Sequence, residues 1–382
     1  MNPHRTGPHR TGQRTRRLAR WTALAVLATL CACADKTPVQ IGFVGGLSGR
    51  VADLGISGRD GVLLAVEQRN AQGGIHGRPV RLLVRDDRQD PETARVAVQE
   101  LIDSGVAAIV GPMTSSMAMA TVPLVNRHQV VMVSPTVTTT DLSDLDDFFL
   151  RVSATTRDYA HKTARHLAEK VGVRSATLVY DLSNEAYTRS WMDNFKQEFL
   201  RLGGRVAGEV TFTSGDDAVM HELARRAAGE GADAVVVSAG ALDAALLCQQ
   251  FAKLPGRPHL AVSEWAATER FLELGGTAVE GVLVDQFFDR HSAAPAYLAF
   301  RDRYRERHDT APGFIAVNAY DAANLVMEAL DRCQGGENLK QTILGMGGFQ
   351  GVQGRLVLDP FGESDRRAHL SVVRNGRFVP VD

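Results

Sequence analysis

Strand-like and helix-like segments alternate in this chain twice over, and that doubled alternation limits the fold more than any other feature of the sequence. Residues 39–44 (Val-Gln-Ile-Gly-Phe-Val) have the apolar run of a short buried strand. Residues 58–70 follow with Val62, Leu63, Ala65 and Val66 at helical spacing, and Asn70-Ala-Gln-Gly-Gly74 stops them with glycines. The order continues as strand 80–84, a helix opened by Pro91 with Ala94, Ala97, Val98, Leu101 and Ile102 on one face, strand 107–110, helix 115–127 and strand 130–133. Strands joined through helices run parallel, and a parallel sheet is covered by helices on both faces.

Beyond Arg151 the pattern starts again, with helix 157–170, strand 176–180, helix 187–202, strand 210–212, helix 219–228, strand 234–237, helix 242–253, and strands 260–262 and 282–284. Two consecutive α/β runs imply two lobes of similar build, which suits a chain of this length better than one core does. The end differs. Helices 295–307 and 314–330 precede two hairpin-like segments, 356–358 and 370–378, and Asn375-Gly376 is the dipeptide of a type I′ turn.

Residues 1–32 stand apart. A basic run (Arg5, Arg10, Arg14, Arg16, Arg17, Arg20) precedes an apolar stretch from Trp21 to Leu30 that is too short to span a bilayer. That is the anatomy of a bacterial export signal peptide. Leu30-Cys-Ala-Cys33 has the order of a lipobox, so Cys33 is expected to carry the lipid (palmitate among its acyl chains) of a membrane-anchored lipoprotein facing the periplasm or the cell surface. The alternative is an ordinary cleaved signal with incidental cysteines. The whole chain has 43 Lys+Arg and 44 Asp+Glu; the leader holds six Arg and no acid, so the remainder carries 37 against 44, a net of −7. A mildly acidic surface lacks the basic footprint of a nucleic-acid binder. With the leader gone and Cys33 lipidated, only Cys248 and Cys333 remain, which is neither a disulfide framework nor a metal-ligand spacing.

Open α/β sheets bind ligands beyond the carboxyl ends of their strands, at helix N-termini. Four places qualify. Gly111-Pro-Met-Thr-Ser115-Ser116 joins a strand to a helix, and its hydroxyls either cap that helix or join free backbone N–H groups around an anion. Ser134-Pro-Thr136-Val-Thr138 follows the next strand, as an ordinary polar loop or as a second set of donors. Glu264 comes directly after strand 260–262, either on the surface or facing an interlobe cleft; Tyr187, after strand 176–180, either walls a ligand or packs as a core aromatic. Signals for catalysis are thin. Gly42-Phe-Val-Gly-Gly-Leu-Ser-Gly49 lacks the dinucleotide fingerprint, Ser48 is not in a nucleophile elbow, and Asp86, Asp87 and Asp90 lack the calcium-loop pattern and read as caps of the helix at Pro91. No cofactor and no metal is implied.

The motifs taken in order resemble one family closely. Ile41-Gly, Leu47-Ser-Gly, Ala52 and Gly55, Asn70-Ala-Gln-Gly-Gly-Ile-His-Gly77, Asp86-Asp87 and Asp90-Pro91, Gly111-Pro112 with Ser115-Ser116, Ser134-Pro135, Phe149-Leu-Arg151, Glu280-Gly281 and Tyr320-Asp321-Ala322 are similar to those of the branched-chain amino-acid-binding proteins of ABC transporters, the type I periplasmic solute-binding proteins. The resemblance spans nearly all of residues 38–380. It implies an α/β fold of two lobes, each a parallel-rich sheet flanked by helices, with three interlobe crossovers: lobe one as 38–156 plus 288–363, lobe two as 157–287 plus 364–382. Residue by residue, it implies that Ser115, with Ser116 beside it, holds a ligand carboxylate, that Thr136 and Thr138 add loop contacts, that Glu264 receives the ligand ammonium, and that Tyr187 is the lobe-two aromatic, offset by about one position. By the same resemblance the chain departs at Leu54, which replaces an aromatic of the leucine-type proteins, at Gly240-Ala241, which replaces an aromatic pair, and at Gln89 and Thr114, which replace the disulfide pair of one well-known member. The amino-acid backbone clamp is therefore kept and the side-chain pocket altered.

These readings converge on an extracytoplasmic solute-binding lipoprotein that captures an amino acid or similar small polar ligand between two lobes and delivers it to an ABC permease. A ligand sensor presenting its closed form to a signalling partner is the alternative. An enzyme on a related α/β scaffold is disfavoured, because the sequence offers no base–nucleophile pair and no metal site.

Overall fold

The computed structural model describes residues 37–215, 219–333 and 338–381, together with Met1 and Pro3. The expected lipidation site Cys33 and nearly all of the leader lie outside the described residues.

The first run builds a five-stranded sheet from β1 (Val39–Gly45), β2 (Val80–Asp86), β3 (Ala108–Val110), β4 (Val131–Ser134) and β5 (Phe149–Arg151), in the order β2-β1-β3-β4-β5. Every pairing is parallel, as strand–helix alternation requires. Its helices are α1 (Ala52–Ala71), α2 (Pro91–Asp103) and α3 (Ser115–His128). Asp90 caps α2 by accepting the Thr93 N–H at 2.8 Å, with Pro91 behind it, as the sequence implies.

The second run builds a seven-stranded sheet. It opens with α4 (Thr156–Arg165), whose end is wound as a π-helix over His166–Val171. Then come β6 (Ser175–Asp181), α5 (Glu185–Arg201), β7 (Arg205–Phe212), α6 (Met220–Gly229), β8 (Ala234–Ser238), α7 (Ala241–Phe251), β9 (His259–Val262), α8 (Glu269–Gly275) and β10 (Leu283–Gln286). The chain leaves this sheet for α9 (Pro295–His308), α10 (Phe314–Arg332), α11 (Leu339–Gly345) and the small hairpin of β11 (Phe349–Gly351) and β12 (Gly354–Leu356). It returns as β13 (His369–Arg374) and β14 (Arg377–Pro380), antiparallel additions to an otherwise parallel sheet ordered β14-β13-β10-β9-β8-β6-β7. Asn375 and Gly376 turn that hairpin with φ of 51° and 65°, the pair of positive angles a type I′ turn demands.

α1 begins six residues before the expected helix. Its first half carries Gly55, Gly58 and Gly61, whose low helix propensity alone would make them mere weak points. They are close-approach positions instead: a Cβ at Gly55 would stand 2.0 Å from the Gly46 carbonyl oxygen, and one at Gly61 2.4 Å from the Ala316 carbonyl oxygen of α10. α10 thus lies flat along α1 and belongs with the first sheet, although it follows the second in sequence. The returning chain is pinned there by a buried pair. Arg151 on β5, fully buried, holds Glu363 at 2.6 Å and donates to the Thr139 carbonyl at 2.8 Å. Removing one partner of such a pair costs about 3–5 kcal/mol, because the other charge is left buried alone.

Candidate functional site

The carboxyl ends of both sheets face one another, and the residues singled out in the sequence gather there. On the first side the chain leaves β3 through Gly111, at φ 123°, where a Cβ would stand 2.2 Å from the Val44 carbonyl oxygen; only glycine lets this loop pass so close to β1. Two loops are then tied together. Ser134 Oγ donates to the Pro112 carbonyl at 2.8 Å, Thr136 Oγ1 donates to the Met113 carbonyl at 2.7 Å, and the Val137 N–H donates to Ser134 Oγ at 3.1 Å. The side chains of this half are fixed by its own backbone.

Neither hydroxyl expected as a cap serves α3. No side-chain cap bonds its N-terminus. Thr114 Oγ1 instead donates to Gln89 Oε1 at 3.0 Å, so the two positions at which the resemblance places a replaced disulfide touch through a hydrogen bond. Ser115 Oγ accepts the Thr139 N–H at 3.4 Å, which keeps its own O–H as a donor. The N-terminal amides and partial positive charge of α3 are left to partners from outside its own loop. One such partner comes from the other side: Asn184 Oδ1, just ahead of α5, accepts the Ser116 N–H at 3.0 Å, while Ser116 Oγ accepts the Ala186 N–H at 3.3 Å.

On the second side stands Glu264, fully buried after β9. Its Oε2 accepts Trp191 Nε1–H at 2.9 Å, and its Oε1 accepts Thr138 Oγ1–H from the first side at 3.5 Å. The Tyr187 hydroxyl lies beside Glu264, Ser238 and Ser263, yet no hydrogen bond of good geometry satisfies it. Burial pushes the Glu264 carboxyl up to about 7, against the opposing pull of donors that include Trp191 and Thr138. The carboxylate is poised for a cation to join it.

Between the two sides lies a cavity with about 270 Å³ of empty space, counted out to its mouth. Leu54, Met113, Thr114, Ser115, Thr136 and Phe314 wall it from the first side, and Asn184, Tyr187, Trp265 and Phe287 from the second. Phe287 and Phe314 stack face to face at 4.2 Å, and Tyr187 meets Trp265 edge-on at 5.6 Å. Of the expected residues, Ser115, Thr136 and Tyr187 are on this wall. Ser116, Thr138 and Glu264 are not on it; they form the contacts that join the two sides behind it. Asn184, Trp265, Phe287, Phe314 and Met113 escaped the sequence reading. Trp265 was within reach of it, since an indole beside a buried acid after a strand end is a wall residue by position. Outside the cavity, Arg50 Nη2 meets Asp243 Oδ1 at 2.6 Å across the sides. No group of three or more His, Cys, Asp or Glu among the described residues could hold a metal, and no helix among them is long and apolar enough to cross a membrane.

Known proteins give the same picture. The chain is 25% identical over 318 residues to the Leu/Ile/Val-binding protein BraC3 of Rhizobium johnstonii, covering 83% of this chain and 85% of that one. It is 24% identical over 316 residues to the Leu/Ile/Val-binding protein homolog 3 of Brucella melitensis, covering 81% and 84%. Its fold matches the leucine-binding protein LivK of Thermotoga maritima with a TM-score of 0.83 at 23% identity, covering 90% of this chain and 98% of that one. It also matches a solute-binding protein of an ABC transporter from Rhodopseudomonas palustris in complex with 3,4-dihydroxybenzoic acid, with a TM-score of 0.79 at 20% identity, covering 90% and 96%. The sequence profile of the periplasmic binding protein family matches residues 38–382. With strands, loops and interlobe cleft all in the family's order, the chain belongs to the periplasmic binding proteins, a family of solute binders rather than of enzymes.

Proposed function

We propose that this protein is a lipid-anchored solute-binding protein that closes on an amino acid, or a close analogue, and delivers it to an ABC permease. One observation carries the reading. The cavity between the sheets has hydroxyls and an uncapped helix N-terminus on one side, and a fully buried carboxylate behind the other. A ligand with a carboxylate and an ammonium complements both. The first would lie on Ser115, Thr136 and the amides of α3, displacing Asn184 from the Ser116 N–H; the second would reach Glu264 past Tyr187 and Thr138. The names of the relatives, Leu/Ile/Val-binding, support the amino-acid class. The lobes are assigned as 38–156 plus 288–363 and 157–287 plus 364–382, moving about the connections between them, and closure completes the site. The anchor is Cys33, which gives an extracytoplasmic position beside the permease.

A thermal-shift screen of amino acids, amides and small carboxylates on the soluble domain tests the ligand class, since binding to the folded state alone raises the melting temperature. An amine-bearing ligand should give the largest rise and shrink the radius of gyration in solution scattering. A best ligand without an amine, or an unchanged radius at saturation, defeats the clamp. Cys33→Ser should release the protein from the membrane fraction; continued membrane partition without an acyl chain by mass spectrometry defeats the anchor.

A further inference from the structure

The geometry points to Trp265 as the residue that sets ligand size, closing the side-chain end of the cavity so that only a short side chain fits. The proposal rests on the amino-acid reading above and deepens it. Trp265 lines the ligand cavity and also the outer groove between the two sides, where Arg50, Val51, Asp243 and Arg270 lie. Its indole is therefore the partition between the two spaces, and it is 8% exposed. Leu54 borders the same two spaces opposite it. A Cβ placed on Gly240 would lie 3.6 Å from indole atoms Cε2 and Cζ2 and 3.7 Å from Val51 Cγ1, so the ring occupies the room that a large side chain at 240 would need.

The ring is held as a wall. Tyr187 braces it edge-on, at 5.6 Å between centroids and 83° between planes, an arrangement that adds to the packing of both rings. The residue before it is the buried Glu264, held by Trp191 and Thr138, so the indole's backbone is anchored at the acid meant for the ammonium. A ligand whose ammonium reaches toward Glu264 lies in the cavity that Trp265 walls, so its side chain has the indole among the surfaces it meets. The empty space of about 270 Å³ includes the open mouth, so the part closed in behind it by Trp265, Tyr187, Phe287 and Phe314 is smaller still. An alanine-sized side chain is the class that fits.

The test is calorimetric titration of wild type, Trp265→Ala and Trp265→Phe with alanine, valine, leucine and phenylalanine, and with the 2-hydroxy acids of the same four side chains. Wild type should bind alanine at least tenfold more tightly than leucine. Trp265→Ala should bring that ratio to one or invert it, and Trp265→Phe, which keeps an aromatic wall and the fold, should move it part of the way. Leucine binding to wild type as tightly as alanine overturns the proposal, as does an alanine-to-leucine ratio that neither variant moves. A wild type that prefers hydroxy acids defeats the ammonium reading alone; the same inversion within that series then supports the wall, and its absence overturns it. Binding of neither series overturns both.

Discussion

The two halves of the site are built on different principles. The first side is finished before anything binds. Thr136, Ser134 and Ser115 are held by carbonyls and amides of their own loops, and the helix N-terminus behind them is a fixed donor. The second side is finished only by contact with the first. Its Glu264 takes one donor from Trp191 in its own lobe and one from Thr138 across the gap, and its Asn184 is satisfied by an amide of α3. A preorganised half holds a ligand loosely at little entropic cost, and a conditional half couples occupancy to closure. Hydroxyls suit the first task because their bonds are individually modest; a buried carboxylate suits the second because leaving it unpaired is expensive.

The largest expected effect comes from removing the charge of the conditional half. Glu264→Gln should weaken an amine ligand by about 2–5 kcal/mol, the range for truncating one member of a buried charged pair. Calorimetry on the best screened amine reads it, and an unaltered affinity would show that the two halves do not differ as described.

Acidity gives the second effect. The carboxyl of Glu264 lies near 7 without ligand, against an ordinary 4.5, and a cation requires its ionised form. Affinity for an amine ligand should rise with pH up to about 7, losing roughly tenfold per unit below that, and level off above. Glu264→Gln should flatten the profile. Stability runs the other way. Between 4.5 and about 7 the ligand-free fold holds a proton that the unfolded chain has lost, so this carboxyl's contribution is fully present below 4.5 and lost as pH climbs to 7. Melting temperatures of wild type and Glu264→Gln across that window would separate the two trends.

Ser115→Ala probes the preorganised half and should cost about 1–3 kcal/mol with no change in pH profile, because the backbone donors beside it stay in place. The smallest effect is expected from Arg50→Ala. This pair bridges the sides at the rim with its arginine partly exposed, so its loss should cost about 0.5–1 kcal/mol of ligand affinity and enlarge the ligand-free radius of gyration slightly, less so in high salt. A loss from Arg50→Ala matching that from Glu264→Gln would move the closing force from the cleft to its rim.

The alternation of strands and helices was legible because it is periodic and local. Strand-end loops were legible for the same reason, which is why Ser115, Thr136 and Tyr187 emerge from sequence and meet on one wall. What stayed hidden depends on distant approach. Gly55 lies ahead of the predicted helix and Gly61 inside it, and their use appears only when the Gly46 loop and α10 arrive against them. Short elements without a strong period, such as α8 and α11, were passed over. Asn184, Phe287 and Phe314 come from three separate stretches and share the site only through the packing of both sheets. The family resemblance reached further than periodicity at Glu264, whose burial nothing in its immediate sequence foretells.

The contact between Thr114 and Gln89 bears on how the molecule matures. A hydrogen bond of 3.0 Å, not a covalent bond, ties these two loops, and the two cysteines of the described residues are both free, Cys248 being buried with its thiol pushed up to about 12. Among the described residues there is thus no disulfide for a reductant to open. A reductant in the surroundings should leave the binding loops as they are, and the same domain made in a reducing cytosol should fold to the same ligand-competent form, which a comparison of its ligand affinity with and without reductant checks.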